Sequence, residues 1–320
     1  MSTLIGSELS QFALDVAAGF STAGGKRIAP RYFYDDLGSA LFEAITLLPE
    51  YGLTRADERL LRIHADEIAQ DAGKLGTVAE LGSGNGKKTL PILRAVLQMN
   101  PQITYQPIDV SAAALAVCER EIGSLCEMKP VLNDWMQGMS EIGRKREENL
   151  PLLLLFFGSS VGNLDRTEIP DFFRDLRSHL RPGDFFLLGA DLVKDIDTMI
   201  AAYDDPTGVT AAFNFNVLGR MNRELQANFD LRAFAHEVRW NSEARRIEMH
   251  LLSCRDQDVF IGALDRAYHL EPGETIWTES SHKFSEEELR EYARLSGFAS
   301  VATWVDEEWP FAEALWRATE

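Results

Sequence analysis

The residues best suited to chemistry lie in Thr77 to Thr89, TVAELGSGNGKKT. A short apolar run carrying Glu80 breaks into Gly82, Gly84 and Gly86, and a helix-like segment, Lys87 to Leu97, follows. Glycine lets a backbone turn at positive φ and lets a ligand approach closely. The start of the following helix offers free N–H groups. Strand, glycine turn and helix make the usual seat of a nucleotide cofactor in an open α/β sheet, although G-x-G alone fits an ordinary turn as well. The dinucleotide fingerprint needs a third glycine three residues after the second. That position is Lys87, which argues against a nicotinamide dehydrogenase.

Three later stretches extend the same site. TYQPIDVS ends its apolar run in Asp109, where an acid can accept both hydroxyls of a ribose. VLNDW carries Asp134, placed to accept an adenine amino group. PLLLLFFGSSVGNLD is an apolar strand opening into a polar loop at its carboxyl end, where ligands bind in such sheets. Each acid alone is equally well a solvated loop residue. In this order, each closing an apolar run, they describe a nucleoside site. An acid ending the first strand before G-x-G resembles the S-adenosylmethionine (SAM) methyltransferase version of the loop, with Glu80 beneath it.

Composition bounds the rest. A chain of 320 residues can bury a large core and hold two domains. No stretch approaches the roughly 20 apolar residues of a membrane span, and the N-terminus has no signal-peptide pattern. The net charge of −18 argues against nucleic acid and anionic membrane, which need clustered Lys and Arg. Cys118, Cys126 and Cys254 form no CxxC and read as reduced thiols of a cytoplasmic protein. The six histidines show no HxH or HExxH, so no metal site is expected. Nothing suggests an obligate interface, and a monomer is expected.

The elements that must position these residues follow from periodicity. Residues 8–19 and 38–47 read as helices, the second ended by Pro49. Tyr34 and Tyr51 lie beside turn residues, where side chains often line a cleft. Thr54 with Asp57 suggests a capping box. Helix 56–71, strand 77–82, helix 87–98, strand 103–109, helix 111–122, strands 129–133 and 151–157, helix 167–180 and strand 184–190 then alternate, which implies a parallel doubly wound sheet. GRKREEN, residues 143–149, reads as a charged surface loop. After Lys194 the rhythm breaks. Helices 195–204 and 207–226 precede β-rich pieces FAHEVRWN, RRIEMHLLSC, VFIGAL and GETIWTESSHKF, which suggest an antiparallel sheet. Helix 285–296 opens with a capping box of Ser285 and Glu288, and two strands close the chain. The expected division is a nucleotide domain of 56–194 with 284–320, and a lid or substrate domain of 1–55 with 195–283.

The chain resembles the SAM-dependent histidine Nα-methyltransferases of ergothioneine biosynthesis, which make hercynine. YFYDDLGSALFEAIT, LPEYGLTR, ELGSGNGKKT, FFGSSVGNLD, AAYDDPTGVTAAFNFNVLGRMNREL, RRIEMHLLS and TESSHKF carry the resemblance along nearly the whole chain. It implies an α/β Rossmann-like class I SAM methyltransferase sheet, with a second substrate domain built from the N-terminal segment and a late α+β insertion. It implies SAM as methyl donor, S-adenosylhomocysteine as product and L-histidine as substrate. On the donor side it implies Tyr34, Gly82, Gly84, Lys88, Asp109, Asp134 and Trp135, the last in place of a usual Phe. Asn163 and Tyr203 would hold the amino-acid head group. Tyr51, Glu279 and Ser281 would surround the imidazole, with Met249 and Phe213 lining the pocket. Tyr34, Asn163 and Tyr203 are the expected catalytic residues. Met249 also fits a core position, Ser281 a surface strand and Asn163 a turn. Departures from the family pattern include Gly52-Leu53, Asn85-Gly86, Phe215 and His282.

A carboxylate at Glu279 can accept an imidazole N–H, and an indole or apolar substrate would leave it unpartnered at a cost of about 1–3 kcal/mol. Methylation of tryptophan or a histidine derivative, and SAM sensing without turnover, are the competing readings.

Overall fold

The computed structural model describes residues 2–146 and 150–320, the side chains of residues 2–10, 144 and 145 excepted. The chain opens with α1 (Ser2–Phe20), β1 (Lys26–Arg27), a 3-10 turn at Pro30–Phe33 and α2 (Asp36–Thr46). Next come α3 (Gly52–Ala72), β2 (Thr77–Leu81), α4 (Leu90–Met99), β3 (Thr104–Asp109) and α5 (Ala112–Ile122). They are followed by β4 (Glu127–Met128), β5 (Val131–Leu132), α6 (Trp135–Lys145), β6 (Leu152–Phe156), α7 (Ile169–Ser178) and β7 (Phe185–Asp191). Then come α8 (Ile196–Ala201), α9 (Val209–Glu224), β8 (Phe234–Asn241), β9 (Arg246–Ser253), β10 (Gln257–Ile261), β11 (Arg266–Leu270) and β12 (Thr275–His282). The chain ends with α10 (Glu286–Leu295), β13 (Phe298–Val305) and β14 (Phe311–Ala318).

Two compact units result, Leu53–Val193 with Lys283–Glu320, and Met1–Gly52 with Lys194–His282. The first holds the large sheet, in the order β13-β14-β7-β6-β2-β3-β4, with β5 also paired to β3. The strands from β7 to β4 and β5 run parallel, and β14 is antiparallel to both β7 and β13. Alternation explains why its strands read as unbroken apolar runs. Leu152, Leu154 and Phe156 face a core shared with α6, α7 and α10, while Leu153 and Leu155 face one shared with α3, α4 and α5. A sheet covered on both faces has no polar side to show. Strand order reverses between β2 and β6, so the loops after these two strands flank the crevice where such sheets bind ligands.

The second unit is a four-stranded sheet, β1-β12-β9-β8, with the hairpin β10-β11. Strands β8, β9 and β12 are antiparallel. Helix α9 starts after Gly208 and is capped from upstream by Asp205, which accepts the N–H groups of Thr207, Val209 and Thr210. Burial opposes the Asp205 charge, but these bonds outweigh it and hold the carboxyl well below its ordinary range.

Several local readings are corrected. Helix α3 starts at Gly52, so Thr54 is not its cap, and Asp57 bonds elsewhere. The strand expected at 129–133 is two short pieces, β4 and β5. Helix α6 was not anticipated and runs into GRKREEN, whose last three residues lie outside the described residues. Arg146 in that stretch is buried and pairs with Asp184 at 2.6 Å. Strand β11 was also missed. The capping box at Ser285 and Glu288 is present.

Candidate active site

The residues expected on the donor side lie at the carboxyl ends of β2, β3 and β5. Gly82, Gly84 and Gly86 all have positive φ, 67°, 54° and 73°. At Gly86 a side chain would also collide with α5, its Cβ falling 2.6 Å from Cys118 Sγ. Asp109 holds the loop: its Oδ2 accepts the Gly84 N–H at 3.0 Å and its Oδ1 accepts the Ser111 N–H at 2.8 Å. Each oxygen keeps a lone pair for another donor. Asp134 caps α6 by accepting the Gln137 N–H at 2.9 Å. Trp135 packs edge-on against Phe156 and Phe172, and its indole nitrogen lies 3.5 Å from where a Cβ on Gly82 would sit. Lys88 donates to Asp57 Oδ2 at 2.8 Å.

Beneath the loop, Glu80 is 3 % exposed. Its Oε2 accepts the Thr89 hydroxyl at 2.6 Å and the Tyr105 hydroxyl. Burial pushes its carboxyl up to about 7 against those bonds. Glu80 therefore ties β2, β3 and the helix entry together.

The loop after β6 is strained. Gly158 has φ 71° and Ser159, a non-glycine, φ 57°. Ser159 Oγ accepts the buried Asp191 N–H at 2.9 Å, which fixes the turn. Asn163 ends the following 3-10 turn, Ser160–Asn163. It was expected on the acceptor side, and it belongs to the unit that carries the glycine loop.

The other expected acceptor residues belong to the second unit, and so does Tyr34, which was expected on the donor side. Tyr34 meets Phe42 and Phe213 at 5.7 and 5.8 Å between ring centroids. Phe42 reaches Tyr51 at 6.4 Å, and Tyr51 reaches Tyr203 at 6.1 Å. Tyr203 donates its hydroxyl to Ser281 Oγ at 2.7 Å. Tyr34, Tyr51, Tyr203, Phe213 and Ser281 are thus one continuous cluster, joined by Phe42 and Phe33, which sequence reasoning did not single out. Phe33 stacks on Phe213 at 4.5 Å. Tyr34 is 41 % exposed, and it is the crowding around its hydroxyl, then the Glu279 carboxylate and Tyr203, that raise the phenol above its ordinary value.

A β-bulge aims Glu279. Trp277 pairs with His250 and Glu279 with Met249, so Thr278 is the extra residue. In a regular ladder Thr278 would face Met249 and Glu279 would point to the other side of the sheet. With the bulge, Glu279 and Met249 share a face, and Ser281 opposite Ile247 lies on it too. Trp277 Nε1–H donates to the Glu279 carbonyl at 2.8 Å. The Thr278 hydroxyl donates to Asn214 Oδ1 at 2.7 Å and lies 3.0 Å from the Met249 carbonyl. Asn214 Nδ2 meets His236 Nδ1, and His236 Nε2 donates to the Tyr203 carbonyl at 2.8 Å. The bulge is therefore braced to the segment carrying Tyr203. Alternating hydropathy carries no sign of it.

Among the described residues no group of three or more His, Cys, Asp or Glu could hold a metal ion. No described helix is long and apolar enough to cross a membrane.

The sequence profile of the family described as histidine-specific methyltransferase, SAM-dependent, matches residues 12–318. The histidine N-alpha-methyltransferase of Mycobacterium tuberculosis is 39% identical over 317 residues, which cover 97% of each chain. That of Mycolicibacterium smegmatis is 40% identical over 307 residues, 94% of this chain and 93% of the relative. Ergothioneine biosynthesis protein 1 of Neurospora crassa is 30% identical over 300 residues, 91% of this chain and 33% of that protein. The glycine loop, the acids after β3 and β5 and the strand order fit an adenosyl methyl donor. The chain belongs to the SAM-dependent histidine-specific methyltransferase family and is a SAM-dependent N-methyltransferase.

Proposed function

We propose that the enzyme transfers three methyl groups to the α-amino nitrogen of L-histidine, giving hercynine for ergothioneine biosynthesis, and that it acts as a cytoplasmic monomer. The observation that carries the histidine reading is the bulge at Trp277–Glu279, which turns a carboxylate toward Met249 and the aromatic cluster. The names of the mycobacterial and fungal relatives support it.

SAM supplies a methyl carbon already activated by a sulfonium leaving group. No general acid is needed, and catalysis is mostly positioning. Asp109 takes the ribose hydroxyls on its free lone pairs and Asp134 the adenine amine, with Trp135 against the ring. Gly82 and Gly84 allow the close approach, and Lys88 offers its ammonium to the methionine carboxylate. In the substrate unit Tyr51, Glu279 and Ser281 surround the imidazole, with Glu279 accepting its N–H. Phe213 and Met249 pack beside it. Tyr203 holds the amino-acid head group, the role that the family resemblance also implies for Asn163. The amine must lose a proton before each transfer, since α-amino groups titrate near pH 8. That proton leaves to water, through the Tyr34 hydroxyl, which stays a neutral phenol by giving its own proton to a water molecule as it accepts the amine's. Each methylation removes an N–H donor, so the carboxylate must be held firmly and the amine loosely.

Incubating the purified enzyme with SAM and L-histidine, and following each methylated species by mass spectrometry, tests this. Trimethylhistidine should accumulate. A reaction that stops at one methyl group would refute the three-transfer reading.

A further inference from the structure

Two carboxylates lie buried in the SAM unit with no part in the chemistry so far. Asp57 on α3 and Glu313 on β14 are both 0 % exposed. Asp57 Oδ2 accepts the Lys88 ammonium at 2.8 Å and the Gly158 N–H at 3.0 Å. It thereby links the helix entry after β2 to the turn after β6. Asp57 Oδ1 and both oxygens of Glu313 have no donor. The two carboxyls meet each other, and burial together with the neighbouring Asp57 charge raises the Glu313 carboxyl well above its ordinary range.

Buried acceptors without donors are costly, and so are two like charges in contact. A single proton between the carboxyls removes the like-charge contact and gives Asp57 Oδ1 a donor, leaving one Glu313 oxygen without one. The space for Glu313 is deliberate: it pairs with Gly189 of β7, where a Cβ would lie 2.9 Å from Glu313 Oε1. At Gly158 a Cβ would lie 3.2 Å from Lys88 Nζ. The charged groups facing the cluster are Asp57 from α3, Glu80 from β2, Lys88 from the turn after β2 and Glu313 from β14. Burial opposes the Lys88 charge, and the acids around it outweigh that and keep it protonated. Three acids against one base are balanced only if protons are retained.

We propose that Asp57 and Glu313 share one proton and act as a positioning pair, holding the Lys88 ammonium and the Gly158 turn in the geometry that receives SAM. This rests on the reading that Lys88 meets the donor. The pair touches neither the methyl group nor the acceptor amine. Its proton sets how strongly Asp57 pulls Lys88, and its loss puts two adjacent negative charges beneath both loops. SAM affinity should then fall in alkaline solution for a reason separate from the substrate amine.

The test is SAM affinity by calorimetry and the KM values for SAM and histidine, across about pH 6–10. Wild type, Glu313→Gln, Asp57→Asn, Asp57→Glu and Lys88→Met are compared. Glu313→Gln supplies a permanent donor. It should keep neutral-pH SAM affinity within about threefold and abolish the alkaline fall. Asp57→Asn should raise the SAM KM about tenfold or more with histidine KM unchanged, and Asp57→Glu should recover part of the loss. An alkaline limb identical in wild type and Glu313→Gln would overturn the proposal. So would equal effects of Asp57→Asn on both KM values. Should Asp57→Asn fail to fold, the Glu313→Gln profile decides alone. If Lys88→Met leaves SAM affinity intact, the reading of Lys88 is what fails. If Lys88→Met weakens it while the Asp57 and Glu313 variants do not, the shared-proton pair is what fails.

Discussion

The two units solve the positioning problem in different ways. In the SAM unit the expected residues sit at strand ends of one sheet: Gly82 comes directly after β2, Asp109 is the last residue of β3, and Asp134 comes two residues after β5. In the second unit the expected side chains come from six segments: the turn at Tyr34, the turn at Tyr51, the region around Tyr203, α9 with Phe213, β9 with Met249, and β12. They are brought together by aromatic contacts and one braced bulge. Topology places the first set, and side-chain packing places the second. Asn163 and Tyr34 apart, substitutions in the SAM unit should therefore act on donor binding or global stability, and those in the other unit on substrate choice.

The largest effect is expected at Asp109. Asp109→Ala removes a carboxylate that holds the Gly84 N–H and is proposed to take the ribose. Charge-assisted bonds are worth about 1.5–3 kcal/mol each, so SAM affinity should fall by about 100-fold or more in calorimetry. Retained tight binding would place the ribose elsewhere.

Glu80 comes next and should act on stability. Its carboxyl is raised from 4.5 to about 7. For a raised acid, the stabilisation is fully present below the unfolded value and is lost as pH rises through the folded one. Glu80→Gln cannot ionise, so the wild type should lose about 3 kcal/mol relative to the variant between about pH 4.5 and 8. Urea unfolding at the two ends of that range reads the difference, and parallel profiles would show that Glu80 does not titrate in the fold.

Glu279→Ala belongs to the other unit and should raise the histidine KM by about 5- to 150-fold, equivalent to about 1–3 kcal/mol. SAM affinity should not move. The smallest effect is expected from Thr278→Val, which removes the hydroxyl bracing the bulge. It should raise the histidine KM by about fivefold, in the direction of Glu279→Ala, at about 1 kcal/mol. A change in SAM affinity instead would blur the contrast between the units.

The same contrast decides what could be read in advance. The order of strands and helices from 77 to 191, α6 and the split of β4 from β5 apart, was legible because a parallel strand buried on both faces is an unbroken apolar run ending in a loop. Helix α6 was missed although Trp135, Met139 and Ile142 recur at helical spacing and pack on the core, and the burial of Arg146 depends on Asp184 far along the chain. The antiparallel region was legible as β-rich, but a one-residue bulge has no periodic signal, and alternation alone would aim Glu279 to the wrong face. Asp57 read as a helix cap because a Thr three residues earlier matched that pattern. Its actual partners, Lys88 and Gly158, are 31 and 101 residues away. The expected residues Tyr34, Tyr51, Tyr203, Phe213 and Ser281 do cluster, and that expectation came from family resemblance, since aromatic spacing alone fits any core.

The central claim is that the second unit selects histidine. One incubation of the purified enzyme with SAM and an equimolar mixture of all twenty amino acids, read by mass spectrometry, tests it most directly. Histidine alone should gain methyl groups, and it should gain three. Methylation of tryptophan or any other amino acid in preference to histidine would contradict the role given to Glu279, and methylation of none would contradict free histidine as the substrate.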